Sequence, residues 1–301
     1  YPTEQLEIII VSDGSTDRTA AVLNEYRDFV VPLILPQRNG KANALNQAAL
    51  AARGEILVFL DVRQTVDQNA LLELCSCFAD ANVGAVSGEL ILTAPAGQQG
   101  GEGVGIYWKI EKMVRKLESR TGSVVGATGA IYAIRRSLFE PIPSGTLLDD
   151  VLIPMNIARK GSRVVFQPTA TAHDQIFAES GKEFSRKVRT LTGNYQLLVL
   201  APWLLTVKNP LLFRFVSHKL LRLIVPYCLI ALILSSAIIR GPFYRVALLL
   251  QLLFYGLAMI GMSTFLRRWR PAGIAYTFVT LNLAAVVACR NFLSRQNNVW
   301  N

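Results

Sequence analysis

Carboxylates follow directly on two strongly apolar runs of the sequence. Ile8–Val11 leads into Ser12-Asp13-Gly14, and Ile56–Leu60 leads into Asp61. A carboxylate in such a place can bind a ligand, whereas one at a helix start can serve as a cap. We interpret Asp17 as a capping residue and Asp13 as a ligand-binding residue, because Asp13 stands on the strand end itself.

A second acidic pair, Asp149-Asp150, opens a predicted helix within residues 146–161. Carboxylates in a first helical turn interact favourably with the helix dipole, so ordinary helix stabilisation is one interpretation of this pair. A catalytic role is the other. The sequence pattern alone leaves both open.

The elements that must position these acids alternate between strands and helices. The predicted strands are Leu6–Val11, Val30–Leu35, Ile56–Leu60 and Val83–Ser87, and the predicted helices are Thr16–Tyr26, Lys41–Ala52 and Asn69–Phe78. This alternation predicts an α/β fold with a mostly parallel sheet. Ligands bind beyond the carboxyl ends of such strands, which is where Asp13 and Asp61 stand.

The middle of the chain is rich in glycine. Residues 97–105 are predicted to form a loop, and Ile106–Arg120 an amphipathic helix with a basic face. The stretch 122–136, GSVVGATGAIYAIRR, follows. Its central glycines permit close backbone approach, although a simple glycine-rich hairpin is the alternative.

Charge divides the 301-residue chain unevenly. The first 183 residues carry 17 Lys and Arg against 21 Asp and Glu, a net charge of −4, whereas residues 184–301 carry 14 Lys and Arg and no acid. The basic part is aliphatic rather than rich in exposed cations with interleaved aromatics. We therefore expect it to meet a membrane and not nucleic acid.

Three apolar stretches approach the spanning length of about 20 residues. They lie at about 220–239, 243–262 and 273–292, each with an arginine near one end (Arg222, Arg245 and Arg290). Helices buried in a large soluble core are the alternative. The basic connection Arg267–Arg270 is expected in the cytoplasm, which places the N-terminal part there too and the C-terminus outside.

The boundaries and the cysteines support further expectations. We predict one domain over residues 1–200 and an interfacial segment with membrane helices over 201–301.

The chain opens on Tyr-Pro within a pattern, so we expect an upstream segment that includes another strand. The four cysteines form no metal pattern, which favours packing roles in a reducing compartment.

Five motifs in order resemble the family-2 glycosyltransferases with a GT-A fold. They are VSDGSTDRT, NGKANALNQAALAARGEILVFLD, GATGAIYAIRRSLF, LLDD and EFSRKVRTLTGNYQLL. The resemblance covers roughly residues 1–200 and includes membrane-bound bacterial members similar to cellulose and hyaluronan synthases. It implies an inverting transfer of a hexose-type sugar from a nucleotide-sugar donor.

The resemblance also implies roles for single residues. Asp13 would contact the uridine of a UDP-sugar, and Lys41 would lie near the nucleotide or its diphosphate unless it is simply an exposed helix-start lysine. Asp61 would ligate a divalent cation, Mg²⁺ or Mn²⁺. Asp150 would be the general base, with Asp149 beside it in the place where many members have Glu.

Two motifs depart from the family pattern. The metal motif DxD stands here as Asp61-Val62-Arg63, so Arg63 either contacts the diphosphate or leaves Asp61 to hold the cation with waters. QxxRW stands as residues 186–190, RKVRT, which keeps the cations Arg186 and Arg189 and lacks the tryptophan. The missing tryptophan weakens the case for processive polymerisation.

The resulting hypothesis is a multi-pass glycosyltransferase of the bacterial inner (plasma) membrane with a cytoplasmic catalytic domain. It would act on a glycan or lipid-linked acceptor in polysaccharide or glycolipid biosynthesis, in contact with membrane lipids and with possible assembly partners. The alternative is a catalytically silent component of a polysaccharide synthesis or export assembly, motivated by Arg63 and the altered QxxRW. A transporter is disfavoured because three spans without central acids are too few.

Overall fold

A computed structural model describes residues 1–93, 102–175, 180–263 and 265–294. The chain divides into two compact units. The first comprises Tyr1–Thr93, Arg115–Asp174 and Gln196–Leu212, and the second comprises Ala94–Val114, Gln175–Tyr195 and Phe213–Asn301. The predicted domain boundary at residue 200 stays a prediction.

The first unit opens with a two-stranded parallel sheet. Strand β1 (Ile9–Asp13) pairs with β2 (Val31–Leu35) in the register from Ile9↔Val31 to Asp13↔Leu35. Helix α1 (Thr19–Glu25) connects the two strands, and α2 (Lys41–Ala51) follows β2. The local β-α-β pattern of the sequence is therefore present, with each boundary within three residues of the prediction.

Five strands form the second sheet of this unit in the order β3-β6-β5-β7-β4. Their bounds are Ile56–Leu60 for β3, Thr65–Val66 for β4, Val83–Thr93 for β5, Ile131–Arg135 for β6 and Arg163–Gln175 for β7. Four of the five residues of β6 are buried, as expected for a central strand. The core packs α3 (Ala70–Ser76) against this sheet through Leu74, Val86 and Ile131.

The predicted α/β class is right, but strand pairing across the two sheets is mixed rather than mostly parallel. The pairs β3–β6, β5–β6 and β4–β7 are antiparallel, and β1–β2 is parallel. The prediction rested on the β-α-β alternation of residues 6–87. The glycine-rich stretch 122–136 instead contributes β6, which returns between β3 and β5.

Two longer helices and one shorter helix complete the region before the apolar segments. Helix α5 (Asp149–Arg159) packs against β5, and Gly84 leaves room for Ile157. Helix α4 runs from Glu102 to Arg120, four residues earlier than predicted, and α6 spans Ser180–Leu200. The rest of the predicted loop at 97–105 lies outside the described residues.

The second unit contains three helices that are long and apolar enough to cross a membrane. The candidate spans are Leu212–Ile238, Pro242–Ile260 and Arg270–Leu293. The first consists of α7 (Leu212–Phe215), a π-helical turn and α8 (Leu221–Ile238), and the others are α9 and α10. Buried alanines of α10 and Gly261 at the end of α9 allow close helix packing.

Candidate active site

The strand-end carboxylate of Asp13 fixes the loop that leads into α2. Its two oxygens accept hydrogen bonds from the backbone N–H groups of Asn39, at 2.9 Å, and Gly40, at 2.7 Å. Gly14 makes this approach possible: its φ is +63°, and a Cβ there would lie 2.4 Å from the Arg38 nitrogen. The predicted contact of Asp13 with a uridine stays a prediction.

Asp17 behaves differently from Asp13. Its carboxylate accepts hydrogen bonds from the Thr19 backbone N–H at 2.9 Å and from the Thr19 hydroxyl at 2.5 Å. These bonds lower the pKa of Asp17 and satisfy a donor at the start of α1. Of the two acids in the first motif, one therefore organises a neighbouring loop and the other accepts from the first N–H group of a helix.

Lys41, the first residue of α2, reaches two further carboxylates. Its Nζ lies 3.1 Å from Asp61 Oδ1 at the end of β3 and 3.3 Å from Asp149 Oδ2 at the start of α5. Partial burial opposes the charge on Lys41, but Asp149, Asp61 and Asp150 outweigh it and raise its pKa. Lys41 is thus a charged residue of the site and not an exposed helix-start lysine.

Asp149 is the most deeply buried acid of this group, with a side chain 5% exposed. Burial raises its pKa to about 6, Lys41 opposes the rise, and the neighbouring Asp150 adds to it. Its Oδ2 has no partner in hydrogen-bonding geometry, although the Lys41 ammonium is close. A buried, incompletely satisfied carboxylate next to a cation is a candidate functional group.

The glycine-rich turn before β6 packs against the first turn of α5. The Ala127 N–H donates to the Asp150 carbonyl at 2.7 Å, and Gly126 has a φ of +83°. A Cβ on Gly129 would lie 3.0 Å from Asp150 Oδ2, so the carboxylate rests directly over this glycine. The turn thereby positions Asp150, which is half-buried and more accessible than Asp149.

Three residues that the sequence did not single out for the site contribute to it. Tyr132 is fully buried, stacks on Phe59 at 4.7 Å between ring centroids, and has a hydroxyl without a hydrogen-bond partner in the described structure. Burial and the three nearby carboxylates raise its pKa well above the ordinary value. Gly129 and Asp174 are the others, and the tyrosine in GAIYAIRR was a usable signal in the sequence.

Arg63 is paired with Asp174, whereas Lys41 is paired with Asp61 and Asp149. Its Nε is 3.3 Å from Asp174 Oδ2, and Gln64 Nε2 donates to the same oxygen at 3.4 Å. Asp174 is nearly buried on β7, so the ion pair ties the turn after Asp61 to that strand. A contact of Arg63 with a diphosphate stays a prediction.

The two cations of the altered QxxRW motif lie on α6 in the second unit. Arg186 is exposed, its carbonyl accepts a hydrogen bond from the Thr190 hydroxyl, and Arg189 is half-buried. Their predicted contact with a leaving diphosphate stays a prediction.

The carboxylate oxygens at Asp61 suit a hard cation, which would have few protein ligands there. Within the described ranges, no group of three or more His, Cys, Asp or Glu residues is arranged to hold a metal ion. Mg²⁺, however, is commonly held by one or two carboxylates with waters and substrate phosphates. The positive charge of Lys41, 3.1 Å from Asp61, opposes a second cation at that carboxylate, so a divalent cation held by Asp61 would also need the negative charge of a bound diphosphate.

Comparison with known sequences identifies the family of this region. Residues 2–142 match the sequence family Glycosyl transferase family 2. The chain is similar to the poly-beta-1,6-N-acetyl-D-glucosamine synthase of Staphylococcus aureus, with 26% identity over 203 residues, which are 65% of this chain and 49% of that protein. The chain therefore spans about half the length of this curated relative.

Comparison with solved structures identifies the fold. The chain is similar to the mannosyltransferase PcManGT from Pyrobaculum calidifontis, whose structure contains GDP-Man and Mn²⁺, with a TM-score of 0.72 and 23% identity. The match covers 97% of this chain and 79% of that chain. It confirms the predicted GT-A-like α/β fold, and the sequence match assigns residues 2–142 to glycosyl transferase family 2.

Proposed function

We propose that the chain is an inverting glycosyltransferase that moves a hexose-type sugar from a nucleotide-sugar donor, most simply a UDP-sugar. The acceptor would be a hydroxyl group of a glycan or of a lipid-linked sugar. The observation that carries this proposal is the convergence of Asp61, Asp149 and Asp150 on Lys41 at the ends of neighbouring elements.

The donor would bind along the edge that runs from Asp13 to Lys41. Asp13 holds the backbone of Asn39 and Gly40, and the next residue, Lys41, presents a cation to the place where a diphosphate would lie. The Asp13 carboxylate would use any lone pairs that these bonds leave free to accept hydrogen bonds from the nucleotide base. The pairing of a fixed loop with a charged side chain orients the donor without requiring the loop to move.

A divalent cation, Mg²⁺ or Mn²⁺, would be held by Asp61. When bound, it would neutralise charge on the diphosphate leaving group. Arg63 is the further cation of the first unit that we assign to the same leaving group. The partly exposed carboxylate of Asp61, 34% exposed, is accessible enough to serve such a cation.

Asp150 is the better general base of the acidic pair. A base must reach the acceptor hydroxyl, and Asp150 is more accessible than the buried Asp149. In the reaction, the acceptor oxygen bonds to the anomeric carbon, the bond from that carbon to the diphosphate breaks, and Asp150 takes the hydroxyl proton. Asp149 would keep Lys41 in place.

The three apolar helices would hold this domain at a membrane. Most of their residues are exposed within the structure: in chain order, 17%, 11% and 33% of the most apolar part of each helix is buried. Exposed apolar area on this scale indicates contact with lipid. We propose a multi-pass protein of the bacterial plasma membrane whose family domain faces the cytoplasm.

The proposal is tested by glycosyl transfer in membranes that contain the protein. Membranes are incubated with a panel of UDP-sugars and GDP-sugars, with and without Mn²⁺ or Mg²⁺, and released nucleoside diphosphate is measured. Asp150→Asn should reduce release by about 10²–10⁴-fold, the usual contribution of a general base. The matched control Asp80→Asn, which alters an exposed ion pair with Arg163, should leave it unchanged.

A catalytically silent membrane component is the second candidate. Arg63 stands where the family has a metal-binding acid, and here it is paired with Asp174, which favours a structural role for that position. If glycan output of cells is the same with Asp150→Asn as with the unaltered protein, this candidate replaces the first.

A further inference from the structure

One face of α4 is exposed although it carries large apolar side chains. Ile110, Met113 and Leu117 are 53%, 57% and 52% exposed. The spacing i, i+3 and i+7 places them on one stripe of the helix. Leaving such a stripe in water forfeits the free energy of apolar burial, so we expect a second apolar surface to cover it.

Cations border this stripe. Lys112, Lys116 and Arg120 are exposed on the same helix, whereas Glu118 is buried and Glu111 is half-buried. The exposed face of residues 110–120 is thus apolar on one side and basic on the other. This distribution matches a bilayer surface, where anionic headgroups lie above the acyl chains.

The part of α4 up to Val114 belongs to the second unit, and its contacts there favour lipid over other partners. Glu111 Oε2 lies 3.6 Å from an Arg222 guanidinium nitrogen, and Arg222 is the second residue of α8. The charges of Glu111 and Arg222 also act on Lys187 of α6. Ile110 and Met113, on either side of Glu111, are therefore held beside Arg222, the last basic residue in the first part of the candidate span Leu212–Ile238, where headgroups would lie.

We infer that the face of α4 formed by Ile110, Met113 and Leu117 lies in the headgroup layer of a membrane that contains anionic lipid. The cations Lys112, Lys116 and Arg120 bind the phosphate groups above it. This inference rests on the proposed membrane placement of the three apolar helices and is independent of transferase activity.

The test places an environment-sensitive fluorophore on the stripe of the full chain in nanodiscs. Cys75, Cys77, Cys228 and Cys289 are first replaced by Ala, and NBD is attached through Met113→Cys or, as a second reporter, Ile110→Cys. Leu72→Cys is the matched control, because Leu72 is 58% exposed on α3. The quencher is a nitroxide-labelled lipid in discs of phosphatidylcholine with phosphatidylglycerol.

We expect at least about a twofold loss of emission at both stripe positions and little at position 72, because such helices bury their apolar face to a depth of about 5–10 Å. Lys116→Glu combined with Arg120→Glu should weaken the quenching. Emission at 113 that is not quenched by the labelled lipid overturns the inference, whether the probe lies in water or, with blue-shifted emission, under a covering protein or second copy. Nucleoside diphosphate release in the same discs tests the proposed function separately.

Discussion

Lys41 is the cation on which the acidic side chains of the family domain converge. Two carboxylates lie within 3.3 Å of its Nζ, one of them nearly buried. Without this ammonium, like charges would face one another in a region of reduced water access, where their repulsion is strongest. The lysine therefore supports the fold as well as any donor contact.

Substitution of Lys41 by Met should destabilise the protein more than loss of a surface ion pair. We expect about 3 kcal/mol, because the substitution leaves Asp149 buried and uncompensated. The measurement is the unfolding midpoint of the purified chain in detergent. Lys160→Met is the matched control: Lys160 is 32% exposed against 29% for Lys41, but its partner Glu140 is at the surface. Its expected cost is about 0–1 kcal/mol, and equal losses would contradict the argument.

Asp149 should make stability depend on pH in mildly acidic solution. Burial raises its pKa from 3.8 to about 6, so the folded protein keeps a proton that the unfolded chain has lost. The contribution of Asp149 to stability is therefore most favourable below about pH 4, decreases as the pH rises to about 6, and is constant above that. A shift of this size corresponds to about 3 kcal/mol at most.

Asp149→Asn removes this titration while keeping the shape of the side chain. The difference in melting temperature between the unaltered protein and the variant should move in favour of the variant from pH 4 to pH 6 and then level off. Because other titrating groups are common to both proteins, their effects largely cancel in the difference. A difference that is the same at every pH would show that Asp149 keeps an ordinary pKa.

At the scale of elements, the close approach of two turns decides where Asp13 points. The turn after β1 passes so near residues 37–38 that Gly14 leaves no room for a Cβ. This contact lets Asp13 reach the N–H groups that precede α2. The position of Lys41 thus depends on a glycine 27 residues earlier in the chain.

Gly14→Ala should therefore displace the turn and weaken donor binding. Gly145→Ala is the control, since Gly145 also has a positive φ, +76°, but a Cβ added there would meet no atom within 4 Å. The control should cost about 1–2 kcal/mol from backbone strain alone. Gly14→Ala should lower stability further and reduce nucleotide affinity in calorimetric titration. Equal stability and affinity in the two variants would rule out the steric explanation.

The sequence predicted the elements whose patterns are local. Strand β3 was predicted with its observed bounds, and α2 within one residue, because an uninterrupted apolar run and regular helical spacing need no distant partner. Strand β6 was missed because the glycines that precede it, at 122, 126 and 129, suggested a turn. Its five residues become a strand through pairing with β3 and β5, which are distant in sequence.

The candidate site was predictable in residue type but not in pairing. Asp13 and Asp61 stood out as strand-end acids, and the family resemblance supplied Asp149 and Asp150. The contacts of Lys41 with Asp61 and Asp149 join residues 20 and 108 positions apart, which no local pattern can indicate. The pairing of Arg63 with Asp174 arises in the same way, from the packing of β4 and β7.

At the scale of the whole molecule, charge and hydropathy together predict an orientation. Residues 184–301 carry cations and no acid, and these cations cluster between and beside the apolar helices. Positive loops remain on the cytoplasmic side during insertion. The segment Leu266–Trp269 between α9 and α10 contains Arg267 and Arg268, whereas the turn between α8 and α9 contains Arg240 alone.

Cysteine labelling in intact cells should therefore distinguish these two connections. In a background without the four native cysteines, Arg240→Cys should react with a membrane-impermeant maleimide from outside, and Arg268→Cys should react after the membrane is permeabilised. Both arginines are exposed, so accessibility within the protein is matched. Asp80→Cys in the family domain should behave like Arg268→Cys, because both would face the cytoplasm. Labelling of Arg268→Cys from outside would reverse the topology and place the candidate site away from the cytoplasmic pool of nucleotide sugars.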